Sequence, residues 1–354
     1  MYTNKKPIKF HIELTDKCNA LCVQCSRNMI DKDGVVKPRP DLLLTELTLE
    51  DFKFMFEDIG DVMDCDTPVG GVTFCGNFGD PIAARELLPI CKFLIEEVNV
   101  KYIHVHTNGS LKTTKWWSEF GKLFAPLSQK DRSGTVVTFA IDGLEDTHHL
   151  YRTNTNYNKV IENAKAFIDA GGSAEWSMIE FGHNEHQVET CKQMAKDMGF
   201  ISFNHSKTHR FRGKDYIDYK HKGKDYRITA PSLDKRIDSG KKKWEEKQQT
   251  YIDCKVSRRN ELYIGADGKV DACCWMGSAS YYVDNLGKQH DEPIYEFFHD
   301  MKEELNVRKI KLKDIIFDQF FTSILPGSFK SNPCTTCVRT CGNEYRTFRD
   351  RQQL

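Results

Sequence analysis

The chain has 354 residues, 39% apolar and 29% charged, with a formal net charge of zero. That length suits one large domain plus a smaller one, and the balanced charge gives no basis for binding nucleic acid or an anionic membrane. No run approaches the ~18 apolar residues of a membrane span, and residues 1–9 lead into no apolar signal stretch, so a cytoplasmic protein is expected.

In chain order, strand-then-helix units are expected up to about residue 204. The strands are 8–14, 69–75, 101–106, 135–141, 173–180 and 200–204, each short and rich in β-branched or aromatic residues. Between them, Thr48 can cap a helix beginning at Leu49. Leu87, Leu88, Cys91, Leu94 and Ile95 make an apolar stripe, and so do Val160, Ile161, Ala164, Phe167 and Ile168, with Gly171 as a stop. Alternation of this kind implies a parallel sheet, and six units suggest an open or partial barrel. Ligands then bind at the carboxyl ends of the strands.

Thirteen cysteines in a cytosolic chain point to thiolate ligation of metal, since disulfides are rare there and an odd count cannot pair completely. Cys18, Cys22 and Cys25 lie in the polar stretch after the first strand. Spaced by three and then two residues, they can hold a [4Fe–4S] cluster and leave one iron open. A zinc site would need a fourth ligand, for which His11 is the candidate, although it falls within the strand. Cys65, Cys75, Cys91 and Cys191 read as small buried hydrophobes.

Each later strand ends on polar residues. Gly79 and Asp80 follow the second, and a carboxylate at a strand's carboxyl end can meet an ammonium group, although Gly-Asp-Pro is also an ordinary turn. Thr107, Asn108 and Gly109 follow the third. Asp142 and Gly143 follow the fourth, and then come His148, His149 and Arg152. A guanidinium suits a carboxylate partner, whereas the two histidines read as surface polarity.

Residues 205–250 are rich in lysine, arginine and tyrosine and include Lys241, Lys242 and Lys243. They read as a basic linker or surface excursion, with a solvated face preferred to a patch for an acidic partner. Residues 251–354 form a loop-rich region. Residues 261–265 and 269–273 flank Asp267-Gly268, a hairpin signal that lets Cys254 and Cys273 approach each other. Cys334, Cys337 and Cys341 follow a helical pattern over 293–305. Four thiolates from two loops make a closed cubane or a zinc site.

These motifs resemble, in order, those of the radical S-adenosylmethionine (SAM) superfamily, over most of the chain. The C-x3-C-x2-C spacing at Cys18, Cys22 and Cys25 carries the resemblance. It implies a cluster whose open iron binds SAM, and cleavage of SAM to a 5′-deoxyadenosyl radical that abstracts a substrate hydrogen. Gly79 and Asp80 resemble the family's Gly-Gly-Glu-Pro element, which holds the SAM amino group, with Asp in place of Glu. Asn108, Asp142 and Arg152 resemble further SAM-site positions, whereas Ala140 stands where Ser is usual and Gln24 where an aromatic is common. The end of the chain resembles SPASM or twitch domains, including Asp284-Asn285-Leu286 and the segment from Pro293 to Phe298.

The resemblance implies an α/β fold: a partial (β/α)6 barrel over 1–204 and a small cysteine-rich SPASM/twitch-like domain over 251–354. It implies one auxiliary [4Fe–4S] cluster on Cys254, Cys273, Cys334 and Cys337, with Cys341 as substitute and Cys274 as packing. The expected function is radical oxidation or cross-linking of a peptide or small metabolite, with a low-potential donor such as flavodoxin or ferredoxin. The few residues before the first strand leave no room for a leader-binding domain, which weakens the peptide reading. The alternative is an iron–sulfur electron carrier or scaffold that does not cleave SAM.

Overall fold

The computed structural model describes residues 2–130, 134–208, 210, 211, 213–232, 252–286 and 293–342. The Lys241–Lys243 run and the polar tail from residue 343 lie outside them. All six expected strands form: β1 (Ile8–Ile12), β4 (Val69–Phe74), β5 (Ile103–Thr107), β6 (Val136–Ala140), β7 (Ala174–Glu180) and β8 (Ser202–Lys207). A short antiparallel pair, β2 (Asn28–Ile30) and β3 (Val36–Pro38), follows the first cysteine loop. β1 and β4 to β8 pair in parallel in chain order, which requires the crossover helices that the apolar stripes foretell.

Among these helices, α1 (Leu49–Phe56) starts in a reciprocal box in which Thr48 and Asp51 cap each other's backbone. The stripes lie on α2 (Leu87–Glu96) and α5 (Tyr157–Asp169). α3 (Thr114–Lys130) packs on α5 so closely that a methyl group on Gly121 would meet the Phe167 carbonyl at 2.5 Å. α4 (Glu145–Tyr151) packs on α5, and α6 (Val188–Asp197) packs on β8.

Because side chains alternate along a strand, the parallel register divides the sheet into two faces. Phe10, Phe74, Val105, Phe139 and Trp176 are buried with the helices in one apolar core. The opposite face carries His11, Thr73, His104, His106, Thr138 and Ser177. On that face His106 and Asn204 are exposed.

The late hairpin forms, and it joins the main sheet. β11 (Glu261–Ile264) lies parallel to β1, pairing Lys9 with Glu261 and Ile12 with Ile264, and β12 (Val270–Asp271) closes that edge. Asn260 pins the joint: its side chain accepts from the Thr3 N–H and donates to the carbonyls of Thr3 and Lys6. The helix expected over 293–305 is shorter, Pro293–Asp300, and is followed by turns.

The described part of the basic segment is not a bare linker. β9 (Tyr216–His221) and β10 (Lys224–Thr229) form an antiparallel hairpin. Its turn, Lys222-Gly223, has φ of +48° and +73°, the twist a two-residue connection favours. Among the described residues no helix is long and apolar enough to cross a membrane.

Candidate cofactor site

The first cysteine loop leaves β1 at its carboxyl end, where the other strands also deliver their polar ends. Cys22 is buried, and Cys18 and Cys25 are half-buried. Burial pushes both the Cys18 and Cys22 thiols up, Cys22 to about 11. Asp80 raises Cys18 further, while Arg152 draws Cys22 back down. Among the described residues no three His, Cys, Asp or Glu side chains converge as ligands of one ion do. A cubane places each thiolate on a different iron and does not require that convergence.

The expected site residues gather around this loop. Asp80 is 5% exposed. One of its oxygens accepts from the Asn108 backbone N–H at 2.7 Å and side-chain amide at 2.6 Å, and the other caps Ile82 at 3.1 Å. Burial raises its carboxyl from the ordinary value, opposed by these hydrogen bonds. The same Asn108 amide reaches Asn19 Oδ1 at 3.1 Å and Cys18 Sγ at 3.8 Å. Asp80 therefore orients Asn108 against the first cysteine.

Arg152 stands across the loop. Its Nε donates to Asp142 at 2.5 Å, and Nη1 lies 3.8 Å from Cys22 Sγ. Asp142 is fully buried, and its second oxygen accepts from the Ile179 N–H at 2.5 Å. Burial opposes the guanidinium charge, but Asp142 and then Cys22 hold the Arg152 pKa above its usual value. A buried ion pair with its lone pairs satisfied fixes one cationic group beside the cysteines. His148 departs from expectation: it is buried, not a surface residue. Its Nδ1 accepts from the Asp142 N–H at 3.2 Å, and burial drives the ring down to about 3, so it supports the turn as a neutral imidazole.

Glycine at 79 is dictated by contact. A methyl group there would lie 1.6 Å from the Thr15 carbonyl oxygen. The sequence reading missed Glu13 and Tyr263. Glu13 Oε1 accepts from the N–H groups of Phe78 and Gly79, and Tyr263 donates to Oε2. It also missed the hairpin's role, since Tyr219, Phe211 and Ile228 pack with Cys22, Val23 and Tyr151 in a second core. Tyr219 donates to the Leu150 carbonyl at 2.6 Å, and Arg210 to that of Gln24 at 3.0 Å.

The late cysteines lie around a common cavity. Cys254, Cys273, Cys337 and Cys341 line one small cavity with Val256, Met276 and Leu325. Cys334 is buried beside them, its sulfur accepting from the Cys337 N–H at the start of the helix Thr335–Cys341. A hydrogen bond with Cys254 lowers the Cys341 thiol against the effect of burial, and Lys255 lowers it further. Cys274 faces elsewhere: its backbone carbonyl accepts from Asn77, and its thiol is pushed up to about 11 by burial and then by Glu261.

No family model and no curated protein matches the sequence. Solved structures do. Native anSMEcpe with bound AdoMet is 15% identical with a TM-score of 0.53, over 95% of this chain and 89% of that one. Streptococcus suis SuiB bound to precursor peptide SuiA is 12% identical with a TM-score of 0.51, over 91% of this chain and 67% of that one. Both are radical SAM enzymes, and at these identities what the likeness establishes is the architecture: this chain has the radical SAM partial-barrel fold.

Proposed function

We propose that the chain is a cytoplasmic radical SAM enzyme that oxidises or cross-links a peptide or small metabolite. The observation that carries this reading is the placement of Asn108 and Arg152 against a three-cysteine loop at the carboxyl end of the sheet. Three thiols with no fourth cysteine in the loop suit a cubane with one open iron. Arg152 offers a carboxylate partner, and the buried Asp80 carboxylate with its glycine-held backbone offers acceptors for an ammonium group. When bound, the cluster supplies the electron that cleaves SAM. The residues of the chain orient SAM, and the hairpin's inward-facing Tyr219 and Ile228, packed with Cys22, exclude water from the cluster side.

The cysteines of the second cavity fit one auxiliary [4Fe–4S] cluster in a SPASM/twitch-like region, 251–354. Its proposed ligands are Cys254, Cys273, Cys334 and Cys337, with Cys341, which lines the same cavity, as the substitute. A flavodoxin- or ferredoxin-like protein is the proposed donor. A peptide substrate gains support from SuiB, a protein of the same fold crystallised with a precursor peptide.

Anaerobically reconstituted protein, given dithionite and SAM, is expected to release 5′-deoxyadenosine. Replacing Cys18, Cys22 and Cys25 by Ala should abolish the product. Iron bound without SAM cleavage would instead identify an electron carrier.

A further inference from the structure

We infer that Glu13, with Tyr263, is the positioning residue that shapes loop 77–79 for SAM and ties it to the segment carrying Cys273; the inference rests on the radical SAM reading. Glu13 is 2% exposed and sits just beyond β1. One carboxylate oxygen accepts from the N–H groups of Phe78 at 2.6 Å and Gly79 at 2.8 Å. The other accepts from the Tyr263 hydroxyl at 2.6 Å. The loop's carbonyls are held from the opposite side by the first cysteine loop. Ser26 donates to Asn77 at 2.8 Å and Arg27 to Phe78 at 3.4 Å, while the Asp80 N–H donates to Lys17 at 2.9 Å. The loop is thus clamped through its N–H groups by Glu13 and through its carbonyls by the residues around Cys25.

Tyr263 extends the clamp. Asn77 Nδ2 donates to the Tyr263 oxygen at 3.1 Å and to the Cys274 carbonyl at 2.9 Å, one residue beyond Cys273. A single buried carboxylate therefore joins the SAM loop, β1 and β11. Glycine at 76 accommodates it, because a methyl group there would stand 2.6 Å from Glu13 Oε1. A buried carboxylate is costly to retain unless its lone pairs are used, and here backbone and hydroxyl donors use both oxygens.

The test compares Glu13→Ala, Glu13→Gln and Tyr263→Phe with the wild type in two readouts. One is amide hydrogen exchange across 76–80. The other is the affinity of reconstituted protein for radiolabelled SAM. Loss of the carboxylate should speed exchange at Phe78 and Gly79 and weaken SAM binding, each about tenfold to a hundredfold, as expected for orphaned buried donors. Glu13→Gln should keep exchange near the wild-type rate, because an amide oxygen still accepts. Tyr263→Phe should show a smaller effect that reaches the segment after Cys273. Unchanged exchange and affinity in both Glu13→Ala and Tyr263→Phe would overturn the inference. If Glu13→Ala does not fold, Tyr263→Phe decides, since it removes one oxygen and keeps the ring. If the wild type binds no SAM, the functional reading fails, and exchange alone judges the clamp.

Discussion

A methyl group at position 79 has no place to go, because the Thr15 backbone lies within 1.6 Å of where it would sit. Gly79→Ala should therefore cost about 4 kcal/mol or more, through displacement of backbone rather than of a flexible side chain. Gly213→Ala is the contrast. It has a φ of +85° but open space, and should cost only about 1 kcal/mol. Urea unfolding of the cluster-free chain measures both. Glu13 supplies a pH signature at the same scale. Burial raises its carboxyl from 4.5 to about 6, although Tyr263 and the loop N–H groups pull it down. The folded chain then binds this proton more tightly than the unfolded chain. The Glu13 contribution to stability should fall as pH rises from 4.5 to about 6 and stay level above. The wild type should lose about 2 kcal/mol relative to Glu13→Gln across that window. Tyr263, Cys75, Cys274 and the cavity-lining Asp16, Asp267 and Asp271 face this group and are common to both proteins, so the difference isolates Glu13.

At the scale of elements, the β9–β10 hairpin lies over the first cysteine loop. Tyr219 is 2% exposed, stacks on Tyr226 at 5.3 Å, and bonds to Leu150 and Thr153. Tyr219→Ala should cost about 3 kcal/mol of local packing and leave the Leu150 carbonyl unpaired. The expected outcome is faster loss of the iron–sulfur absorbance in air, with the iron content of the second site unchanged. Equal bleaching rates would remove the hairpin's role as a cover. The sequence concealed this element for a physical reason. Charged residues are interspersed among its aromatic and aliphatic ones, and only Tyr219 and Ile228 turn a fully buried side chain inward, so the alternation that marks a half-buried strand is hidden. The barrel strands were legible because each buries an apolar row, and Cys18, Cys22 and Cys25 because a loop needs no distant partner to show its spacing. Glu13 and Tyr263 lie 250 positions apart, and the strand pattern around each does not say which strand it meets, so only folding reveals their contact.

The whole molecule turns on how its two ends join. The sequence places a small unit after residue 250, and spacing alone brings Cys254 toward Cys273. The parallel pairing of β11 with β1, however, has no local signal, since no turn links the two strands. That pairing puts Leu262, Ile264, Val270, Leu305, Val307 and Ile316 in the same core as Phe10, Phe52 and Phe74. A chain ending at residue 250 would leave the β1 edge unpaired and that side of the core open to water, a loss far exceeding the few kcal/mol of net stability a domain possesses. Two independent domains would unfold in two steps, and the first would survive alone. The shared sheet instead predicts one cooperative transition for the full chain, with β1 and β11 amides exchanging at the same free energy. It also predicts that residues 1–250, produced alone, show no sharp unfolding transition and bind a hydrophobic dye. A truncated chain that melts cooperatively would show that the β1 edge is stable without its late partner, and the single-core account would fail.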